Sequence, residues 1–155
     1  MNAPPLAIEV IVVFFGLYMA RHSIISHKNA NESRNWPMTS GKIIVMELWG
    51  RRNIDGRMVE AENLKVKYEY EINNKKYVSK TSAFYTLHYP EAMNFFNSTR
   101  GSRGVDVYYN PLNPAQSVLI RGPHPNKPHG DLILGSVFIV IGLAPLLYSL
   151  LSAGN

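Results

Sequence analysis

The chain has 155 residues, with sixteen Lys and Arg against eleven Asp and Glu, a net charge of +5 and no cysteine. The missing thiol excludes a disulfide framework, a thiolate nucleophile and a thiolate metal site, and leaves the redox compartment unread. Every Lys and Arg lies between Arg21 and Lys127, so residues 21–130 carry sixteen bases against nine acids, about +7, between two apolar ends.

The first apolar run, PLAIEVIVVFFGLYMA, predicts a transmembrane helix over residues 5–26, long enough only if Arg21 and His22 snorkel toward headgroups. Pro4 and Pro5 suit a first helical turn. Glu9, one turn on, then meets the positive end of the helix dipole, or else acts as an intramembrane acid facing a partner's cation. MNAPP lacks the basic start of a secretory signal and Tyr18-Met19-Ala20 is not a small-x-small cleavage site, so a retained anchor is expected.

A β-rich domain follows over residues 35–122. Residues 41–49 predict a first strand, closed by the turn-rich stretch 50–56. Leu64-Lys65-Val66-Lys67-Tyr68-Glu69-Tyr70-Glu71-Ile72 alternates apolar and charged side chains at every step, the pattern of a strand with one buried face. Asn73-Asn74 tolerates positive φ and predicts a hairpin into a third strand over residues 75–81. Residues 90–96 predict a short helix with proline in its first turn. Two further strands, 104–109 and 117–120, flank Asn110-Pro111-Leu112-Asn113-Pro114, whose Asn-Pro steps push the chain out of helical conformation twice.

Three prolines in residues 123–130 predict a stiff connector, and residues 131–152, with the uncharged LILGSVFIVIGLAPLLYSLL, predict a second transmembrane helix of about 30 Å. The fold class expected is therefore a membrane-anchored α+β protein. Its core is a five-stranded antiparallel sheet, curled or partly barrel-like, with one short helix between two transmembrane helices. Gly135 and Gly142 share a side of the second helix, and Gly16 marks the first, so these small residues are candidates for helix packing or a partner interface together with Glu9. The basic flanks at Arg21, Lys28, Arg34, Arg121 and Lys127 place the domain in the cytoplasm by the positive-inside rule.

Trp36-Pro37, Thr39-x-Gly41-Lys42-Ile43, the Tyr68-x-Tyr70 strand, the turn from Asn74 to Tyr77, and Val105-Asp106-Val107-Tyr108-Tyr109-Asn110-Pro111-x-Asn113-Pro114 followed by Ser117-Val118-Leu119 resemble a bacterial family catalogued as domain of unknown function 3592. The resemblance covers residues 36–120. It implies a membrane-anchored β-domain of the bacterial inner membrane with no established activity. Because members differ in terminal charge, it leaves open a cytoplasmic or a periplasmic face.

Chemistry is sparse in the sequence. His22, His27, His88, His124 and His129 do not take zinc spacing, residues 98–104 lack the helix of a phosphate loop, and His88 near Glu91 has no companion nucleophile, so neither an enzyme nor a cofactor or metal is expected. The scattered cations speak against nucleic acid and suit anionic lipid headgroups. Trp49, Tyr108 and Tyr109 are candidates for an aromatic binding surface. Two functions are therefore expected. One is a non-enzymatic accessory or scaffold subunit of a larger membrane protein complex. The other is a free-standing module, of immunity or envelope-stress type, that captures a protein, glycan or lipid headgroup. Its partners would be the lipid bilayer and an integral-membrane protein or further copies of itself.

Overall fold

The strand read from the strict alternation of Leu64 to Ile72 is the backbone of the domain. The computed structural model describes residues 6–102, 104–124 and eight helical positions between 133 and 144. Along the chain run α1 (Leu6–Ser33), β1 (Met38–Ile54), β2 (Arg57–Ile72), β3 (Lys75–Ser79), α2 (Glu91–Thr99), β4 (Val105–Asn110) and β5 (Asn113–Val118). The strands form one antiparallel sheet in the order β3-β2-β1-β4-β5.

Turn chemistry sets the registers. Asn73 and Asn74 take φ of 51° and 62°, and Asp55 and Gly56 take 51° and 82°, the pair of positive φ values that two-residue hairpins of matching twist require. At the third hairpin Asn110 pairs with Asn113 around Pro111-Leu112. The Asn110 carboxamide oxygen accepts from the Leu112 N–H at 2.9 Å, and its amide donates to Gln116 Oε1 at 2.9 Å.

Two strands are longer than expected. β1 does not stop at Trp49 but runs to Ile54, and β2 begins at Arg57 instead of Leu64, so residues 50–54 are strand and only Asp55-Gly56 turns. β5 lies earlier than expected, at Asn113–Val118, because the asparagine-proline corner is a tight hairpin and not a five-residue link.

The sheet is strongly bent yet open. In a flat sheet β2 and β5 lie three strand spacings apart, roughly 14 Å. The hydroxyl of Tyr68 on β2 nevertheless lies 2.9 Å from Ser117 Oγ on β5, and that of Tyr70 donates to the Pro114 carbonyl at 2.6 Å. No ladder joins β3 to β5 among the described residues, so the sheet curls without closing into a barrel. The concave side is filled by Val66, Tyr68, Tyr70, Val107 and Leu119, and a second cluster of Ala83, Leu87 and Ala92 receives Leu48, Leu64 and Phe95.

The expectation of flanking transmembrane helices is corrected. Among the described residues no helix is long and apolar enough to cross a membrane. α1 shows the physical reason: charge at Glu9 and Arg21 leaves about eleven uncharged residues between them, where a span of the hydrocarbon core needs about twenty. Most of the expected second span, with Gly135 and Gly142, and the connector from residue 125 lie outside the described residues. The chain divides into two compact units, one of Met1–Lys28 with His124–Asn155 and one of Asn29–Pro123. The second begins inside α1 because Ala30 and Ser33 are buried in it: Ser33 Oγ donates to the Ala30 carbonyl at 2.7 Å and accepts from the Gly122 N–H at 2.9 Å. Trp36 is buried next to them, edge-on to Phe84 at 5.6 Å.

β1 exchanges partners at Gly41, which pairs with both Val105 of β4 and Tyr70 of β2. A Cβ there would sit 2.5 Å from Val107 Cγ2 and 2.8 Å from the Glu69 carbonyl, the one in a fully buried side chain and the other in a ladder. Gly41→Ala should therefore cost about 1–3 kcal/mol by overpacking. Chemical denaturation of the full chain should show a lower midpoint at unchanged slope, and an unchanged midpoint would contradict the tight corner.

Candidate functional site

The interior is occupied by the protein's own side chains, so candidate sites lie on its outside. The most prominent is the β1–β2 ribbon. β4 accompanies β1 only as far as Gly41, and β3 accompanies β2 only from Tyr68. From there to the turn the two strands pair chiefly with each other, thirteen residues of β1 spanning about 40 Å. Leu48 and Leu64 still pack on the second core cluster, and an isolated Asn63–His88 bridge with a Tyr89 N–H to Glu62 carbonyl bond of 3.0 Å supports β2. Beyond that level Ala61 is still fully buried, and the other contacts that tie the tip to the domain are polar.

Those contacts centre on Glu62. Arg52 Nη1 donates to Glu62 Oε2 at 2.9 Å, its guanidinium lies over the Tyr89 ring at 5.0 Å, and His88 Nδ1 is 4.0 Å from Glu62 Oε1. The imidazole that the sequence set beside Glu91 thus faces Glu62. On the outer face Trp49 and Met58 are large apolar side chains left 57% and 62% exposed.

The expected aromatic surface does not assemble. Tyr108 and Tyr109 are consecutive on β4 and point to opposite faces: Tyr109 packs against the main core, and Tyr108 lies under the Arg121 guanidinium at 4.8 Å. Trp49 is about eleven residues along β1 from Met38, the partner of Tyr108, which puts it roughly 35 Å away along the strand. Gly16 is buried within α1, and Glu9 lies on the same helix. Among the described residues no group of three or more His, Asp or Glu is placed to hold a metal.

An open groove of about 350 Å³ lies over the partner exchange, lined by Ser40, Gly41, Lys42, Glu69, Tyr70, Glu71, Lys76 and Gly104. Its charges face each other across strands, Lys42 opposite Glu69 and Glu71 opposite Lys76, which is the arrangement that stabilises a solvated sheet face.

The tyrosines with a structural task are Tyr68 and Tyr70. Tyr68 is fully buried and its hydroxyl donates to the Thr81 carbonyl at 2.9 Å while meeting Ser117 Oγ. Burial pushes the Tyr68 phenol above its ordinary value, against the lowering effect of the Ser117 hydroxyl, and burial likewise raises Tyr70. Tyr85 is raised by burial and then by the neighbouring Glu91 carboxylate. The sequence signal was present: tyrosines on the apolar phase of an alternating strand must find partners for their hydroxyls.

These features define a class: a small domain on a bent, open antiparallel sheet, clamped from β2 to the β5 edge by tyrosine hydroxyls and extended by a long hairpin. The chain belongs to the family described as domain of unknown function (DUF3592), whose model matches residues 39–124, from the start of β1 past the end of β5. No curated protein and no solved structure is matched by the chain.

Tyr68→Phe should cost about 1–3 kcal/mol, since it leaves the buried Ser117 hydroxyl and Thr81 carbonyl without that partner. The phenol's contribution is full below the ordinary value of 10.0, where both states keep the proton. It is lost as pH rises from there through the higher folded-state value. Denaturation midpoints should therefore fall above pH 10.0 in the wild type and fall less steeply in Tyr68→Phe. Parallel curves would show that Tyr68 is not held protonated.

Proposed function

We propose that this chain is a non-enzymatic accessory subunit of a larger bacterial membrane assembly, presenting its basic β-domain at the membrane surface and engaging the assembly through the β1–β2 ribbon. The observation that carries this reading is the ribbon itself. Two strands continue well past the strands that flank them and end with Trp49 and Met58 exposed. Exposing large apolar side chains on a projecting element is unfavourable in an isolated molecule, and contact with a partner offsets that cost. The net charge of residues 21–130 adds long-range attraction to an anionic surface.

Gentle extraction of the tagged chain from its native membrane, followed by native mass spectrometry, tests the proposal. A stoichiometric larger assembly is expected for the wild type. Its yield should drop at least about tenfold in Trp49→Ser, the effect of about 1.4 kcal/mol of lost contact. Val78→Ser, a similarly exposed position on β3, should leave it intact. A lone chain, or an assembly indifferent to Trp49, would overturn the reading.

A further inference from the structure

The tip of the ribbon combines three guanidinium groups with two exposed apolar side chains. Leu48 packs on the second core cluster and Arg52 meets Glu62 and Tyr89, so their neighbours Trp49 and Arg51 turn to the outer face on either side of the register shift at Gly50, and Met58, across from Asn53, joins them there. Arg52 lies on the other face, held by Glu62 and Tyr89. Arg57 follows the turn, next to Asp55-Gly56. The opposing charges of the tip are Asp55 in the turn and Glu60 across from Arg51, yet among the described residues no ion pair engages Arg51 or Arg57. Both guanidinium groups are exposed.

We propose that this tip seats on the anionic surface of a lipid bilayer, with Arg51 and Arg57 on headgroup phosphates and Trp49 and Met58 dipping into the interfacial layer. The inference rests on the ribbon being a contact element and names what it contacts. Guanidinium groups bind phosphate through paired N–H donors, and the indole ring favours the headgroup level, where one part is apolar and the other wet. The tip alone is too small to hold a protein partner, so lipid contact there adds to the assembly contact of the ribbon. A stable protein interface buries about 800 Å² on each partner, and the end of a two-stranded ribbon with two exposed apolar side chains offers far less. A bilayer needs no such area, because the same tip can sink into it.

The chain carries its own reporter. Of its two tryptophans, Trp36 is 6% exposed inside the domain and Trp49 is 57% exposed at the ribbon, so fluorescence quenching by lipid-borne bromine reads Trp49. The full chain is mixed with vesicles containing phosphatidylglycerol with brominated acyl chains, or with vesicles of brominated phosphatidylcholine alone. The result expected is quenching with a blue shift on the anionic vesicles, several-fold weaker on the neutral ones and in the double variant Arg51→Glu/Arg57→Glu. It should be lost in Trp49→Phe, where only Trp36 emits. Equal quenching on neutral lipid or in the charge-reversed variant would overturn the proposal. So would unchanged Trp49 emission when the chain floats with the anionic vesicles. If Trp49→Ser still loses its assembly in that last case, the ribbon contacts protein and only the lipid assignment falls; if the assembly also persists, the ribbon is not a contact element at all.

Discussion

β1 serves two neighbours, and it passes from β4 to β2 at a residue with no side chain to spare. Gly41 sits against Val107 and the Glu69 carbonyl at distances that exclude even a methyl group, so the strands can approach there closely enough for the sheet to fold toward its concave side. Everything that gives the domain its shape follows from that approach. Only a sheet bent this far lets Tyr68 and Tyr70 of β2 bond to Ser117 and Pro114 of β5, across two intervening strands. Those hydroxyls then fix the bend, because a buried phenol without a partner is costly.

The same exchange of partners liberates the hairpin. Where β1 leaves β4 and β2 has not yet met β3, the two strands pair with each other and extend to the Asp55-Gly56 turn. Strand edges exposed in this way invite unwanted pairing, and the register shifts beside Ile44 and Gly50 are devices that twist such edges out of line. With its edges protected, the ribbon offers its outer face and tip. The proposed role at a membrane assembly and the proposed seating on anionic lipid both draw on this one geometric fact.

How much of this was legible in the sequence depends on whether a face is buried. The strand from Leu64 to Ile72 packs one face on the core and exposes the other, so its alternation could be read directly, as could the Asn73-Asn74 turn with its paired positive φ. Residues 50–54 and 57–63 pack only in part, with Ala61 fully buried but Arg51, Arg52, Asn53, Arg57, Met58 and Glu60 exposed, and the alternation of Val59-Glu60-Ala61-Glu62 is too short to stand out beside the glycine and asparagine of a turn-rich stretch. The Asn-Pro corner was visible as a double turn, but its two-residue hairpin was not, because that depends on the Asn110 carboxamide bonding to Leu112 and Gln116. Candidate site residues fared worst. Adjacent tyrosines on a strand face opposite ways, so Tyr108 and Tyr109 cannot share a platform, and the tyrosines that bridge the sheet were those two apart on β2. The apolar ends read as spans because composition dominates that reading, whereas α1 is interrupted by charge and most of the C-terminal run lies outside the described residues.

One tightly bent sheet carries a hairpin that the rest of the domain leaves largely to itself. Native-state hydrogen exchange on the full chain, followed residue by residue in low denaturant, measures this directly. Amides of Tyr68, Val107 and Val118 should exchange only through global unfolding, while those of residues 50–60 should open through a smaller, nearly denaturant-independent fluctuation. Equal protection of the ribbon tip and the Gly41 corner would place the tip within the cooperative core and rule out a hairpin held apart from it.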